Sequence, residues 1–426
     1  MTSFVSTRGG EPVGLAEALF TGLARDGGLY VPTRLGKLDS PPAEVGGLAD
    51  TARWAAPRLL PDTDVDVLDR VAEAALDFPV PLVEIQPDLY LLELFHGPTH
   101  AFKDIAARYM ARLMSEIDPG GGTRTVLVAT SGDTGSAVAH AFHGLPGYRV
   151  VVLFPRGGVS ERQRRLMTTL GGNVTALALN GTFDDCQRLA KAAFRDERIR
   201  EEHRLTSANS INVGRLLPQT FYYAHAAILF GWGARPVRFV VPSGNLGNLC
   251  GGLLAHECGM PTRGFLAAMN ANRAFMDFLD DGAYSPRASI PTYSNAMDVG
   301  DPSNLERVRW LYRDDPSRLR HDVTGVSITD EETVACITEV YGRTGYVLDP
   351  HTAVGVRAYE RAAERHQGPA VVLATAHPAK FPDVVERAIG REVPLPPGIA
   401  RVMEAKEHMT EIPADVGALG AALDAR

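Results

Sequence analysis

The chain has 426 residues, 45% hydrophobic and 22% charged, with a formal net charge of −8. That profile fits a globular protein with two or three cores and argues against a nucleic-acid partner, since the densest basic run is only Arg162 to Arg165. No stretch approaches the roughly eighteen apolar residues of a membrane span, and Cys186, Cys250, Cys258 and Cys336 show no metal-ligand spacing and fit the reduced thiols of a cytosolic protein.

Met1-Thr2-Ser3-Phe4 has no basic region ahead of an apolar run, so no secretory leader is expected. Residues 1 to about 80 read as a small helical unit. Val13 to Leu23 has helical spacing, Gly27 to Pro32 turns into a short extended piece, and Ala49 to Leu60 and Val65 to Leu76 are amphipathic helices. Ser6-Thr7-Arg8-Gly9-Gly10 is the one piece of this unit placed to reach toward a site.

From Pro81 strands and helices alternate. Strands are expected at Thr125 to Ala129, Arg149 to Phe154, Val174 to Leu179, Val237 to Val241, Gly264 to Met269 and Ala370 to Ala374. Helices are expected at Gly135 to Phe142, Phe183 to Phe194, Leu216 to Leu229, Gly247 to Cys258, Thr352 to Arg365 and Pro382 to Ile389. Ser160 with Gln163 and Thr329 with Glu332 are capping boxes that open two more. Short apolar strands between helices imply a parallel sheet covered on both faces. Two clusters, roughly 124 to 230 and 235 to 390, imply two α/β lobes with a cleft, and ligands in such folds bind beyond the carboxyl ends of strands. Residues 391 to 426 read as a C-terminal extension.

The stretch Glu93 to Asp104 holds the first candidate. Its apolar run breaks at His96-Gly97-Pro98-Thr99, with Thr99 placed as an N-cap, and a helix starts near Ala101. Lys103 then lies in a first helical turn, among unpaired N–H groups, where a cation is disfavoured and a neutral amine suited to Schiff-base chemistry is favoured. Alone, it reads as a solvated helix lysine.

Three strands end in loops of small polar residues. Ala129-Thr130-Ser131-Gly132-Asp133-Thr134-Gly135 and Pro242-Ser243-Gly244-Asn245-Leu246-Gly247-Asn248 each open a helix and form an anion cradle; the third is Ala374-Thr375-Ala376-His377-Pro378-Ala379-Lys380. One such loop is an ordinary turn, but two in an α/β chain favour a phosphate-bearing ligand. Neither is a Walker or dinucleotide motif. A lysine at a helix start with a separate phosphate loop points to pyridoxal phosphate, whose aldehyde needs an amine and whose phosphate needs a helix terminus. Thr375 is a candidate hydroxyl partner for the cofactor's ring nitrogen. Thr206 to Arg215, dense in amides and hydroxyls and ending in arginine, suits a second anion.

These residues, with Ser207-Ala208-Asn209-Ser210-Ile211-Asn212, Ser294 to Asp298 and Pro350 to Val354, resemble the threonine synthase family, from Val13 to about Phe381. The resemblance implies a two-lobed fold-type-II pyridoxal-phosphate enzyme, similar to the tryptophan synthase β chain. An additional, mainly helical N-terminal domain at 1–80 would precede a catalytic core at 81–390. It implies that Lys103 holds the cofactor and then acts as a base. Ser243, Gly244, Asn245, Leu246, Gly247 and Asn248 would bind its phosphate, and Thr375 would meet the ring nitrogen. Asp133 falls where the wider group often has an asparagine near the ring's phenolic oxygen, which an unpaired acid would repel. Thr130, Ser131 and Thr134 would contact substrate, and Ser210, Asn212 and Arg215 would hold its phosphate. His100 replaces an expected small or apolar residue.

The implied reaction takes O-phospho-L-homoserine and water to L-threonine and phosphate, without a metal, in a cytoplasmic monomer or homodimer. A phospholyase or amino-acid dehydratase of the same fold is the first alternative. A catalytically silent ligand-binding homologue is the second, and Lys103 with an intact phosphate loop argues against it.

Overall fold

The computed structural model of the chain describes residues 3–118, 120–130, 132–362 and 367–425. At the N-terminus β1 (Ser3–Ser6), β2 (Gly9–Gly14) and β3 (Tyr30–Pro32) form an antiparallel sheet in the order β2-β1-β3. Helices Leu15–Thr21, Leu48–Leu59 and Val65–Ala75 pack beside it. The helices were expected; the β1–β2 hairpin was not. Thr7 and Arg8 make its tight turn, Gly9 and Gly10, at φ +98° and +101°, open β2 where the register shifts, and Val13 lies in β2 rather than in a helix.

Next come β4 (Leu82–Gln86) and β5 (Leu89–Glu93), then β6 (Arg124–Ala129), β7 (Tyr148–Pro155) and β8 (Val174–Leu179). They are followed by β9 (Arg238–Pro242), β10 (Phe265–Met269), β11 (Val323–Ser327), β12 (Ala370–Ala374) and β13 (Thr410–Ile412). The large sheet runs β11-β10-β9-β12-β5-β4 and is parallel except for β4. The small sheet runs β13-β8-β7-β6, all parallel. The two sequence clusters therefore widen. β4 and β5 precede the small lobe in the chain yet belong to the large sheet, and β13 supplies the small sheet's edge from beyond residue 390.

Every residue of β6, β9, β10 and β12 is buried, as strands covered on both faces require. Each buried Val or Leu there contributes about 1.5–3 kcal/mol relative to exposure. The capping boxes at Ser160, Thr182 and Thr329 form as their side chains dictate. The helix expected at Leu216 to Leu229 is two pieces, Val213–Leu216 and Gln219–Leu229, because Pro218 has no N–H to continue the first. The helix expected to reach Arg365 ends at Arg361, and 363–366 lie outside the described residues.

This topology sets the position of the site. β5, β12 and β9 are neighbours in one parallel sheet, so Leu94 to Phe102, Thr375 to Lys380 and Ser243 to Leu246 leave adjacent strand ends. The turn after β6 meets them from the other lobe.

Candidate active site

Lys103 is the first residue of helix Lys103–Ile117, and Phe102, its N-cap, gives no side-chain hydrogen bond. The expected Thr99 cap is replaced by a bond in the opposite direction. Asp104, fully buried, accepts from Thr99 N at 2.8 Å and from Thr99 Oγ1 at 2.6 Å. Burial pushes the Asp104 carboxyl up to about 6, against the pull of the two Thr99 bonds. The loop ahead of the helix is zipped to the end of β12. Leu94 N donates to Ala374 O, Phe102 N to Thr375 O and His377 N to His100 O, at 2.9–3.1 Å. Lys103 and Thr375 are thereby held side by side through backbone. His100 takes φ +54°, a strained value for a histidine, and packs against Gly398.

The Lys103 amine is partly buried and has no hydrogen bond or ion pair among the described residues. Burial lowers its affinity for a proton to about 8; Asp133 opposes this, while Arg215 and Lys380 add to it. The main cause is thus desolvation, not the helix terminus from which the expectation was argued.

In the turn after β6, helix Asp133–Phe142 starts at Asp133, again with no side-chain cap. The Asp133 carboxylate is buried. Its Oδ1 accepts from Lys380 Nζ at 2.6 Å and from Gln163 Nε2 at 2.9 Å. Burial alone would raise its pKa, but the Lys380 and Lys103 charges and these hydrogen bonds hold it well below the carboxylate range. Lys380 is itself fully buried and also donates to Thr99 O at 2.9 Å. The repulsion expected of an unpaired acid is therefore met by a counter-ion from the other lobe. The Thr130 hydroxyl is engaged inside its own turn, accepting from Gly132 N at 2.9 Å and Gly135 N at 2.8 Å. Thr134 is partly exposed, and Ser131 lies outside the described residues.

The turn after β9 is built differently. Helix Gly247–Glu257 starts without a side-chain cap, and Leu246 at its N-cap has φ +59°. A side chain at Gly244 would put its Cβ 2.7 Å from Met297 Cα, so the loop lies directly on that backbone. Ser243 Oγ donates to Val241 O at 2.7 Å. Asn248 accepts from the Tyr222 and Tyr223 hydroxyls at 2.7 and 2.8 Å, while its Nδ2 is buried without a partner.

Ser210 and Arg215 lie beside this turn and the Lys103 cluster. Asn245 Nδ2 donates to Ser210 Oγ at 2.7 Å. Arg215 is buried, donates to Ala208 O at 2.7 Å, and keeps a buried Nε with no partner; burial lowers its pKa to about 10. Asn212 behaves otherwise. Its amide donates to Leu19 O and Ser207 O, both at 2.8 Å, and its oxygen caps Gly214 N. It ties the loop to the N-terminal unit.

Sequence reasoning missed Lys380 and Gln163 as members of this site, and it missed Arg307 behind it. Arg307 is fully buried and donates to Ser210 O, Ile211 O, Asn304 Oδ1 and Tyr30 O at 2.6–3.1 Å. Asn304 in turn donates to Asn245 O at 3.0 Å, so one guanidinium braces both anion loops. Thr7 and Arg8 of the N-terminal hairpin reach Glu306, next to Arg307, at 2.5 and 2.9 Å. The position of Lys380, in a loop after a strand, was the signal available for it.

These groups fit a phosphate-bearing aldehyde. An amine with lowered proton affinity, an uncapped helix start and an orphaned amide donor lie at adjacent ends of one sheet. Residues 77–376 match the family described as pyridoxal-phosphate dependent enzymes, which is the class this fold and site define. Residues 3–50 match the threonine synthase N terminus and 352–422 the threonine synthase C-terminal family. The chain is 40% identical over 417 residues to the threonine synthase of Serratia marcescens, covering 96% of each. Its structure resembles Escherichia coli threonine synthase with a TM-score of 0.92 at 38% identity, and the PLP-bound threonine synthase of Brucella melitensis with 0.93 at 36%, each covering 99% of both chains. The chain belongs to the threonine synthase family. Among the described residues no helix is long and apolar enough to cross a membrane.

Proposed function

We propose that this chain converts O-phospho-L-homoserine and water into L-threonine and phosphate, with Lys103 as the residue that anchors the cofactor and moves protons. The observation that carries the reading is the Lys103 amine, unpaired among the described residues, with its proton affinity lowered to about 8, beside Asp133 and Arg215. Pyridoxal phosphate, when bound, supplies the electron sink that makes the substrate's α- and β-protons removable and lets phosphate leave Cγ. Lys103 Nζ takes the proton from Cα and relays one at Cβ, a task suited to an amine whose proton affinity is lowered to about 8.

The Ser243 to Asn248 turn holds the cofactor phosphate, with Asn248 Nδ2 as an open donor. Thr375 meets the ring nitrogen, and Asp133 lies near the ring's phenolic oxygen with its charge balanced by Lys380. Arg215 Nε and Ser210 take the substrate phosphate, and Thr134 with Ser131 takes its carboxylate. In this reading residues 1–80 form the N-terminal unit, 81–390 the catalytic core and 391–426 an extension that docks on the small lobe. The enzyme works as a cytoplasmic monomer or homodimer.

Incubation of the cofactor-loaded protein with O-phospho-L-homoserine tests the reaction. Threonine and phosphate in equal amounts are expected; phosphate with 2-oxobutyrate and no threonine would sink the reading.

A further inference from the structure

The pair formed by Asp133 and Lys380 joins the lobes at the point where Lys103 lies. Asp133 opens the first helix of the small lobe, whereas Lys380 follows β12 of the large sheet. Both side chains are buried, their charged atoms are 2.6 Å apart, and Lys380 is anchored a second time on Thr99 O. A carboxylate in that position without a counter-ion would have one nearby cation left to pair with, the Lys103 amine, and would hold a proton on it.

We propose that Lys380 is a positioning residue of this site: its ammonium neutralises Asp133, so that the carboxylate lies beside Lys103 without capturing the lysine's proton. The proposal rests on the reading of Lys103 as the reactive amine.

The surroundings support it from every side. Asp133 on its helix favours the protonated form of Lys103, and Arg215 and Lys380 oppose it. Asp104, adjacent to Lys103, is turned toward Thr99 and held by its two hydrogen bonds. The imidazoles of His100, His140 and His377 also feel the Lys380 charge. Burial and that charge lower them to about 3, 4 and 4, so they stay neutral near pH 7 and do not screen the pair. Gln163 gives Asp133 a neutral hydrogen bond and no charge. Lys380 is thus the cation in contact with the Asp133 carboxylate.

Competitive acetylation of the cofactor-free full chain across pH, read at Lys103 by peptide mass spectrometry, measures the amine's protonation midpoint. The midpoint is expected to rise by about one pH unit or more in Lys380→Met, because a charge that repels the lysine's proton is lost and one that attracts it is freed. It should stay near wild type in Lys380→Arg, fall in Asp133→Asn, and return toward wild type in the double variant Asp133→Asn/Lys380→Met. An unmoved midpoint in folded Lys380→Met overturns the proposal. If circular dichroism shows that Lys380→Met does not fold, an unmoved or raised midpoint in Asp133→Asn overturns it instead. Borohydride reduction of the cofactor-loaded wild type, with peptide mapping, checks the underlying reading separately: a pyridoxyl group on another lysine removes Lys103, whatever the midpoints show.

Discussion

The turns after β6 and β9 are made of the same kinds of residues, follow buried strands and open helices, yet they end in opposite hydrogen-bonding states. After β6, Thr130 accepts from two glycine N–H groups of its own turn, and Asp133 is paired with Lys380 and Gln163. After β9, Leu246 is held left-handed, and Asn248 Nδ2 is buried with no partner among the described residues. Among its described residues the first turn has Thr130 and Asp133 already bonded, and it presents one charge-balanced carboxylate. The second keeps one buried amide donor unused among the described residues, which fits the proposed ligand seat. Composition alone treats both as anion cradles; what separates them is whether the polar atoms are already in use.

This contrast predicts four outcomes of graded size. Gly244→Val places side-chain atoms against the Met297 backbone and should weaken cofactor binding by about 100-fold or more, near 2.7 kcal/mol. Titration of the cofactor-free variant by absorbance measures it, and near-normal affinity would mean that the β9 turn is not the ligand's seat. Arg307→Met removes the brace behind the same turn and behind Ser210. Cofactor affinity and substrate KM should each worsen by about tenfold, with a lowered melting temperature from the orphaned Ser210, Ile211 and Tyr30 carbonyls. A loss confined to stability would separate Arg307 from the site. Thr130→Val should destabilise the fold by about 1–3 kcal/mol through two unsatisfied N–H groups, with cofactor affinity little changed. Weaker cofactor binding without destabilisation would erase the distinction between the turns. Thr329→Ala, at a capping box on a helix away from both turns, should cost about 1 kcal/mol in denaturant unfolding and leave turnover intact.

Much of the fold was legible because it depends on local chemistry. Apolar runs bounded by glycine gave the buried strands, and Ser160 and Thr329 marked their helices through side chains that act three residues away. The β1–β2 hairpin escaped because β2 is almost wholly exposed and carries no alternation to read. Thr99 was misjudged as a cap, and the bonds of Thr130 and Asn212 within their own loops were not foreseen, for a shared reason. Residue type shows that a side chain can bond, but not whether the backbone around it already uses that capacity. Gln163 is the sharpest case. The capping box was visible, yet the same amide also reaches Asp133, a contact fixed only when the two helices pack. The pairing of Lys380 and the bracing by Arg307 escaped for a longer-range reason: their partners lie far along the chain, so only the assembled sheets reveal them.

The pairing of β5 with β12 brings residues near 90 against residues near 370, with β6, β7 and β8 of the small sheet between them in sequence. During synthesis β6, β7 and β8 emerge in order and can pair at once, whereas β5 must wait for β12. Loop closure over such a span adds little to the free-energy cost but much to the delay. Because Phe102 and Thr375 bond across that seam, the backbone setting of Lys103 is complete only once β12 is in place.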